Sequence, residues 1–465
     1  MEQIQGFPKN LAYNLKRLQS TIIKTRISQP FDKTEYLANE RAIVNFPNRM
    51  FDCRSVSLTA KCVSGTNCHF SRGGLNTLIE NLQITLNSRP IQSTQYYNLI
   101  FQTLADVSGY YSPEQEGKRI YENFNPSVSY DKEIGEGTTT IALNTTSTTA
   151  ETKYFTVNNF IGFFSCSAST LDLNNLGNLQ LILTMAPDTV QWIGQSTTAG
   201  APNAINSYKV QNLTLWMDAI TFTSSLYQDL IKSQLEGNGL NIAYNDYLVS
   251  VNSIQTKSSS GFTANAQFNT NSLDACYAIF RPELYANINP LILGDATINA
   301  TSGANVKGCS KSFEQVIADP VTNAGQNGAF NQSRYFQRDG AGITSSSWYV
   351  NSQPLVINDT NIAIWNNLLN TLDYANIDIA SGGFHKGALS THHYNKFYFV
   401  DAISLENISG DGNNWVSGLS SSGTVLNISY TAKFDTVATK VYPYIIGKVS
   451  KVMNVKIGRN IDIME

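Results

Sequence analysis

Between positions 179 and 187 the sequence reads LQLILTMAP. Leu179, Leu181, Leu183 and Met185 alternate there with Gln180, Ile182, Thr184 and Ala186. A period of two sends successive side chains to opposite faces of a strand, so this stretch has to bury one face of a sheet. Pro187 ends the run, because proline cannot donate to a central ladder. An apolar cluster (Phe160, Ile161, Phe163, Phe164) and a small-residue segment precede it. Residues 158–194 together read as the core hairpin of a β-sandwich.

The same alternation recurs along the chain. Val56, Leu58, Ala60 and Cys62 show it, as do Leu82, Ile84 and Leu86, then Leu213, Leu215, Met217 and Ala219. Leu426, Ile428, Tyr430, Ala432 and Phe434 repeat it near the end, and Ile461 and Ile463 mark a last strand. Residues 247–254, 272–280 and 396–405 are further candidate strands. Helical spacing is confined to short stretches: 96–107, 225–235, 312–318 and 360–372. Long Gly-, Asn- and Ser-rich segments fall at 109–150, 290–348 and 409–423. Each half thus runs strands, a helix, long loops and strong terminal strands. A chain of 465 residues accommodates two sandwiches comfortably. The division expected is an arm over 1–35, a first sandwich over 36–224, a linker helix over 225–239 and a second sandwich over 240–465. Leu179, Leu181 and Leu183 are expected in the first core, and Leu426, Ile428 and Tyr430 in the second.

Residues 1–35 carry Lys9, Lys16, Arg17, Lys24, Arg26 and Lys33 against Glu2 and Asp32. Leu11, Leu15, Leu18 and Ile22 share one helix face, Pro8 stands where a helix can start, and Gln29-Pro30 ends the pattern. Two readings follow: a short amphipathic helix docked on the protein, or a basic arm facing nucleic acid or an anionic membrane through Lys9, Lys16, Arg17, Lys24 and Arg26.

Charged residues make up only 14% of the chain, against roughly 25% in ordinary globular proteins. Asn, Ser and Thr take their place. Such a surface can be buried against another protein without desolvating charges, which favours a subunit of an assembly. A net charge of −3 implies no global attraction to nucleic acid. Cys53, Cys62, Cys68, Cys166, Cys276 and Cys309 are scattered and read as reduced thiols. The opening MEQIQGFPKN lacks the apolar region of a secretion signal, so synthesis inside the cell without secretion is expected.

No catalytic constellation emerges. Neither H-E-x-x-H nor G-x-S-x-G occurs. The run from Gly303 to Ser312 resembles a phosphate loop but has Cys309 where the lysine belongs. His392 and His393 are adjacent, and neighbouring residues on a strand point to opposite faces, so a shared metal with His385 is not expected. The reading is a non-enzyme with no catalytic residue, cofactor or metal. Trp192, Trp348, Trp365 and Trp415 leave open a jelly-roll adhesin or carbohydrate-binding protein, and scattered carboxylates a β-sandwich glycosidase.

Three segments taken in order resemble a known family. They are GGLNTLIENLQITLNSRPIQSTQYYNLI from Gly73, NNFIGFFSCSASTLDLNNLGNLQLILTMAP from Asn158, and KFYFVDAISLENISG from Lys396 with GTVLNISYTAKF and VKIGRNIDIM after it. Together they resemble the double jelly-roll major capsid proteins of double-stranded DNA viruses, particularly those of virophages and polinton-like viruses. The resemblance implies an all-β fold of two eight-stranded jelly rolls side by side, with few short helices. It implies a homotrimer forming a pseudo-hexameric capsomer, and an icosahedral shell around a DNA genome. Penton and minor capsid proteins would be partners, the virion the location, and DNA or an internal membrane the contact of the N-terminal arm.

Overall fold

The computed structural model describes residues 22–66, 68–70, 73–107, 150, 152–158, 160–165, 170–193, 206–222, 236, 239–283, 334–359, 399–406, 418–421, 425–435, 439–456 and 460–464. The expected helices at 225–235, 312–318 and 360–372 lie outside these residues, as do Lys9, Lys16 and Arg17.

In the first half the strands are β1 (Ile22–Pro30), β2 (Glu35–Tyr36), β3 (Arg41–Asn45), β4 (Met50–Asp52), β5 (Ser57–Val63), β6 (Cys68–His69), β7 (Ile79–Leu86), β8 (Arg89–Thr94), β9 (Thr152–Val157), β10 (Thr170–Asp172), β11 (Leu179–Met185), β12 (Trp192–Ile193) and β13 (Lys209–Phe222). The second half follows with β14 (Leu240–Val251), β15 (Gln255–Thr256), β16 (Phe262–Phe268), β17 (Leu273–Pro282), β18 (Ile343–Val350), β19 (Gln353–Asn358), β20 (Asp401–Ser404), β21 (Leu426–Phe434), β22 (Lys440–Lys456) and β23 (Asn460–Met464). Helix α1 spans Tyr97–Val107 and the one-turn α2 spans Leu173–Leu176.

Strand register reduces this inventory to two eight-stranded sandwiches. On one flank of β13, β2 pairs with Val210–Gln211 and β1 with Thr214–Phe222. On the other flank, β5 and β4 take successive parts of β13, and β9 and β10 continue outward from them. Seven strands therefore fill four ladder positions, facing the four-stranded sheet β3-β11-β7-β8. In the second half β14 and β15 share one flank of β22, while β17 and β23 share the other, with β20 outside β17. That four-position sheet faces β16-β21-β18-β19. Two four-stranded layers packed face to face make a jelly-roll sandwich, and the chain contains two.

Alternation in the sequence explains which faces are buried. Leu179, Leu181, Leu183 and Met185 all lie in the first core, and Leu426, Ile428, Tyr430, Ala432 and Phe434 in the second. Along β13 the buried series Leu213, Leu215, Met217 and Ala219 is out of phase with buried Val210. The slip falls at Asn212, whose φ of 53° marks a bulge. Asn tolerates the left-handed region better than most residues, and an inserted residue resets which face is inward.

Two expectations change. Residues 158–194 do not form a hairpin: β10 pairs β4 in one sheet and β11 pairs β3 and β7 in the opposite sheet. Helix α2 carries the chain across. The Asp172 carboxylate accepts from the Asn174 N–H at 3.1 Å to cap it, and Gly177 closes it at φ 109°. Phe163–Ser165 forms a 3₁₀ turn rather than a strand, placing Phe163 and Phe164 in the core. The second change is at the N-terminus. Helical spacing through Ile22 gives way to strand β1, because pairing β13 over nine residues satisfies backbone groups that a short helix would expose to water. The first sandwich therefore begins by Ile22, not Tyr36.

Candidate functional site: the joint between the sandwiches

Helix α1 has apolar side chains on two faces. Tyr97, Phe101 and Ala105 enter the first core; Leu99 and Ile100 enter the second. In return, strands of the second half lend Ile242, Tyr244, Met453, Val455 and Ile461 to the first core. Phe163 and Tyr244 meet edge to face across this joint, ring centres 5.3 Å apart, and so do Tyr96 and Tyr444 at 5.6 Å. The two sandwiches therefore share buried apolar surface, which converts directly into stability.

Polar groups buried in the joint are matched. The Tyr244 hydroxyl donates to the Ile91 carbonyl at 2.7 Å, and the Thr94 hydroxyl donates to Asp246 Oδ1 at 3.0 Å. Gln92 Nε2 donates to Thr94 Oγ1 at 2.8 Å, while its Oε1 accepts the Phe163 N–H at 2.7 Å. Lys451 Nζ lies 3.2 Å from Asp246 Oδ2, with both side chains at least nine-tenths buried. Arg89 donates to the Ile461 carbonyl. Such a network fixes the geometry of its members, because each broken contact would leave a polar group desolvated.

A second cluster seals the same joint. Arg281, fully buried, donates to the Tyr444 hydroxyl at 3.0 Å and to the Tyr335 carbonyl at 2.8 Å, and lies over both rings. The Tyr335 hydroxyl donates to Glu80 of the first sandwich at 3.4 Å. Burial pushes the Glu80 carboxyl above its usual range, partly offset by that hydrogen bond and by the Arg281 charge. Within the second sandwich, Lys257 and Asp339 form a buried pair at 3.0 Å.

Of the basic-arm candidates, the described residues include Lys24 and Arg26, both on β1. Lys24 Nζ lies 3.1 Å from Asp218 and 3.3 Å from Asp52; Arg26 reaches Asp218 at 3.3 Å and Ser57 at 3.0 Å. The hydrogen bonds that Lys24 donates to Asp218 and Asp52 raise its pKa. These two cations are thus engaged by carboxylates of their own sheet rather than presented on a separate arm.

Trp348 is buried against Tyr430, ring centres 4.6 Å apart, and points into the sandwich rather than toward a sugar. Trp365, Trp415, Cys166, Cys309, His385, His392, His393 and the Gly303–Ser312 run lie outside the described residues. Cys53, Cys62, Cys68 and Cys276 are buried free thiols. Among the described residues no group of three or more His, Cys, Asp or Glu is placed to hold a metal, and no helix is long and apolar enough to cross a membrane. The sequence signals that could have located the joint were weak: Gln92, Thr94 and Asp246 are ordinary polar residues until the fold brings their strands together.

Two eight-stranded sandwiches joined side by side through a buried seam define a double jelly roll. Solved structures carry the same fold over nearly the whole chain. A chain of the PBCV-1 virus capsid matches with a TM-score of 0.60 and 12% identity, covering 97% of this chain and 98% of that one. A chain of the Sputnik virophage matches at 0.54 and 9%, covering 100% and 93%. The Faustovirus major capsid protein matches at 0.51 and 8%, covering 96% and 92%. The chain thus resembles double jelly-roll major capsid proteins in fold. No protein-family model matches it, and no curated protein does.

Proposed function

We propose that this protein is a viral major capsid protein, a structural subunit rather than an enzyme. The observation that carries the reading is the rigid pairing of two complete sandwiches through the Thr94–Asp246–Lys451 seam and the shared helix α1. A shell subunit has to hold a fixed outline, and a buried joint tied by hydrogen bonds and the Lys451–Asp246 pair supplies that. Three copies, each contributing two similar lobes, approximate a hexagon, and closed threefold symmetry ends the oligomer at a trimer. Weaker contacts between such trimers tile an icosahedral shell around the DNA genome, placing the protein in the virion. Penton and minor capsid proteins complete the shell. The arm bearing Lys9, Lys16 and Arg17 faces the DNA or an internal membrane.

Size-exclusion chromatography with light scattering, followed by electron microscopy, tests the reading. Trimers or closed shells with hexagonal outlines are expected. A monomer at every concentration and salt tried would overturn it.

A further inference from the structure

Lys433 is the one charged residue in the four strands of the sheet β16-β21-β18-β19. Its inward face is the second core. The outward face of the sheet presents Thr263, Asn265, Gln267, Asn427, Ser429 and Thr431, exposed or half-buried, with Lys433 exposed at the end of the same row. These hydroxyls and amides pair with one another: Thr263 with Thr431 at 3.0 Å, and Ser429 with Asn265 at 2.8 Å. At the β19 margin the face turns apolar, with Leu355 and Ile357 49% and 53% exposed. The first sandwich contrasts with it, since Lys24, Arg26, Asp52 and Asp218 crowd together around β1 and β13.

On the opposite margin, β16 borders a cleft of about 570 Å³ that reaches across to β8 and β14. Ser93, Gln95, Leu248, Ser250, Asn265 and Gln267 line it, and no charged residue does. Through Asn265 and Gln267 the face, charged only at Lys433, continues into an uncharged groove.

We propose that this face, with its groove, packs against a second copy of the chain; the inference rests on the assembling-subunit reading above. Three physical arguments favour that occupant. With Lys433 as its single charge, the face meets little like-charge repulsion from an identical molecule, and burying the rest of it desolvates no ion. Exposed edge strands are ordinarily guarded by charge or proline, whereas β16 carries neither and β19 only Pro354. Four strands about 4.8 Å apart and some seven residues long make a face of roughly 20 by 23 Å, or about 460 Å², over half of the ~800 Å² per partner of a stable interface before the groove is added.

The test introduces charge with little change of shape: Gln267→Glu with Asn427→Asp, and separately Ile357→Glu at the apolar margin. Sedimentation velocity reads assembly, and circular dichroism confirms the fold. Both variants should remain folded and shift the assembly midpoint to more than about tenfold higher concentration. Thr25→Glu, an exposed position on β1, should assemble like the wild type. Equal assembly of the wild type and both face variants would overturn this face while leaving the capsid reading intact. An equal loss in Thr25→Glu would also overturn it, by showing that net charge alone acts. A wild type that never assembles would remove the capsid reading itself.

Discussion

The Thr94 hydroxyl of the first sandwich donates to the Asp246 carboxylate of the second at 3.0 Å, with both residues buried. Asp246 also accepts the Tyr247 N–H at 2.8 Å and faces Lys451 at 3.2 Å. One carboxylate therefore ties an edge strand of one sandwich to two strands of the other. Its position on β14, opposite Val449 of β22, is fixed by twelve consecutive residue pairings.

Asp246→Ala should destabilise the protein by about 3–5 kcal/mol, because Lys451 would stay buried without that counter-charge. Replacing both residues, Asp246→Leu with Lys451→Met, should cost less than the single change. Denaturant unfolding of the three proteins checks the order. A single mutant as stable as the wild type would show that the pair does not hold the seam.

Gly177 turns the chain from α2 into β11 at φ 109°, and an added Cβ would lie 2.1 Å from Asn87 Oδ1. That oxygen already accepts the Asn178 N–H at 2.8 Å, and Asn87 Nδ2 donates to the Leu176 carbonyl at 3.0 Å. Gly177→Ala should therefore lower stability by about 1–3 kcal/mol through backbone strain and a displaced Asn87. Asn87→Ala combined with it should lose less than the sum of the two single changes, since one substitution relieves the clash made by the other. Additive losses would argue against the contact.

Glu80 predicts a pH signature. Its folded-state pKa is raised above the ordinary 4.5, chiefly by burial. The folded protein therefore holds that proton more tightly than the unfolded chain, and the contribution to stability is full below about 4.5 and lost as pH rises through the raised value. Glu80→Gln removes this dependence. The stability of the wild type relative to the variant should fall with rising pH from about 4.5 upward. Unfolding curves at several pH values read it directly, and a pH-independent difference would refute the assignment.

Truncation separates the arm from the sandwich. Removing residues 1–21 leaves β1 intact and should leave thermal unfolding unchanged while reducing the DNA content of particles. Removing residues 1–30 deletes β1, strips β13 of nine pairings and should lower the melting temperature clearly. Equal melting temperatures for both truncations would mean that β1 adds nothing to the sheet. Full DNA content in the shorter truncation would refute the role given to Lys9, Lys16 and Arg17.

Strands with one wet face were legible because their period is visible residue by residue. β5, β11, β13 and β21 bury the residues read as inward, apart from the slip at Asn212, although Ile182 on the other face of β11 is buried as well. β22 was not: Lys440–Lys456 contains Pro443 and Gly447, both strand breakers by propensity. The fold tolerates each for a local reason. The Pro443 carbonyl accepts from the Asn252 N–H, so its own nitrogen faces the gap between β14 and β15, where no ladder bond is lost. At Gly447 a Cβ would come within 2.9 Å of Leu273 and 3.1 Å of the Phe268 ring. β18 hid in a Ser-rich stretch, where Ile343 and Trp348 stand on either side of a register shift and show no period. β1 hid behind helical spacing that residues further along the chain override. The joint was illegible for another reason: its hydrogen bonds join positions 152, 153, 255 and 372 residues apart, which no local window can pair.

Helix α1 gives Tyr97, Phe101 and Ala105 to the first core and Leu99 and Ile100 to the second. Cut the polypeptide after β13 and neither fragment would be a finished object. The first would carry Leu99 and Ile100 as an oily scar, and the second would bare Tyr244, Met453 and Val455. Whatever the ancestry of the two similar lobes, they have become mutually dependent organs of one body, and heat should melt them in a single step rather than two.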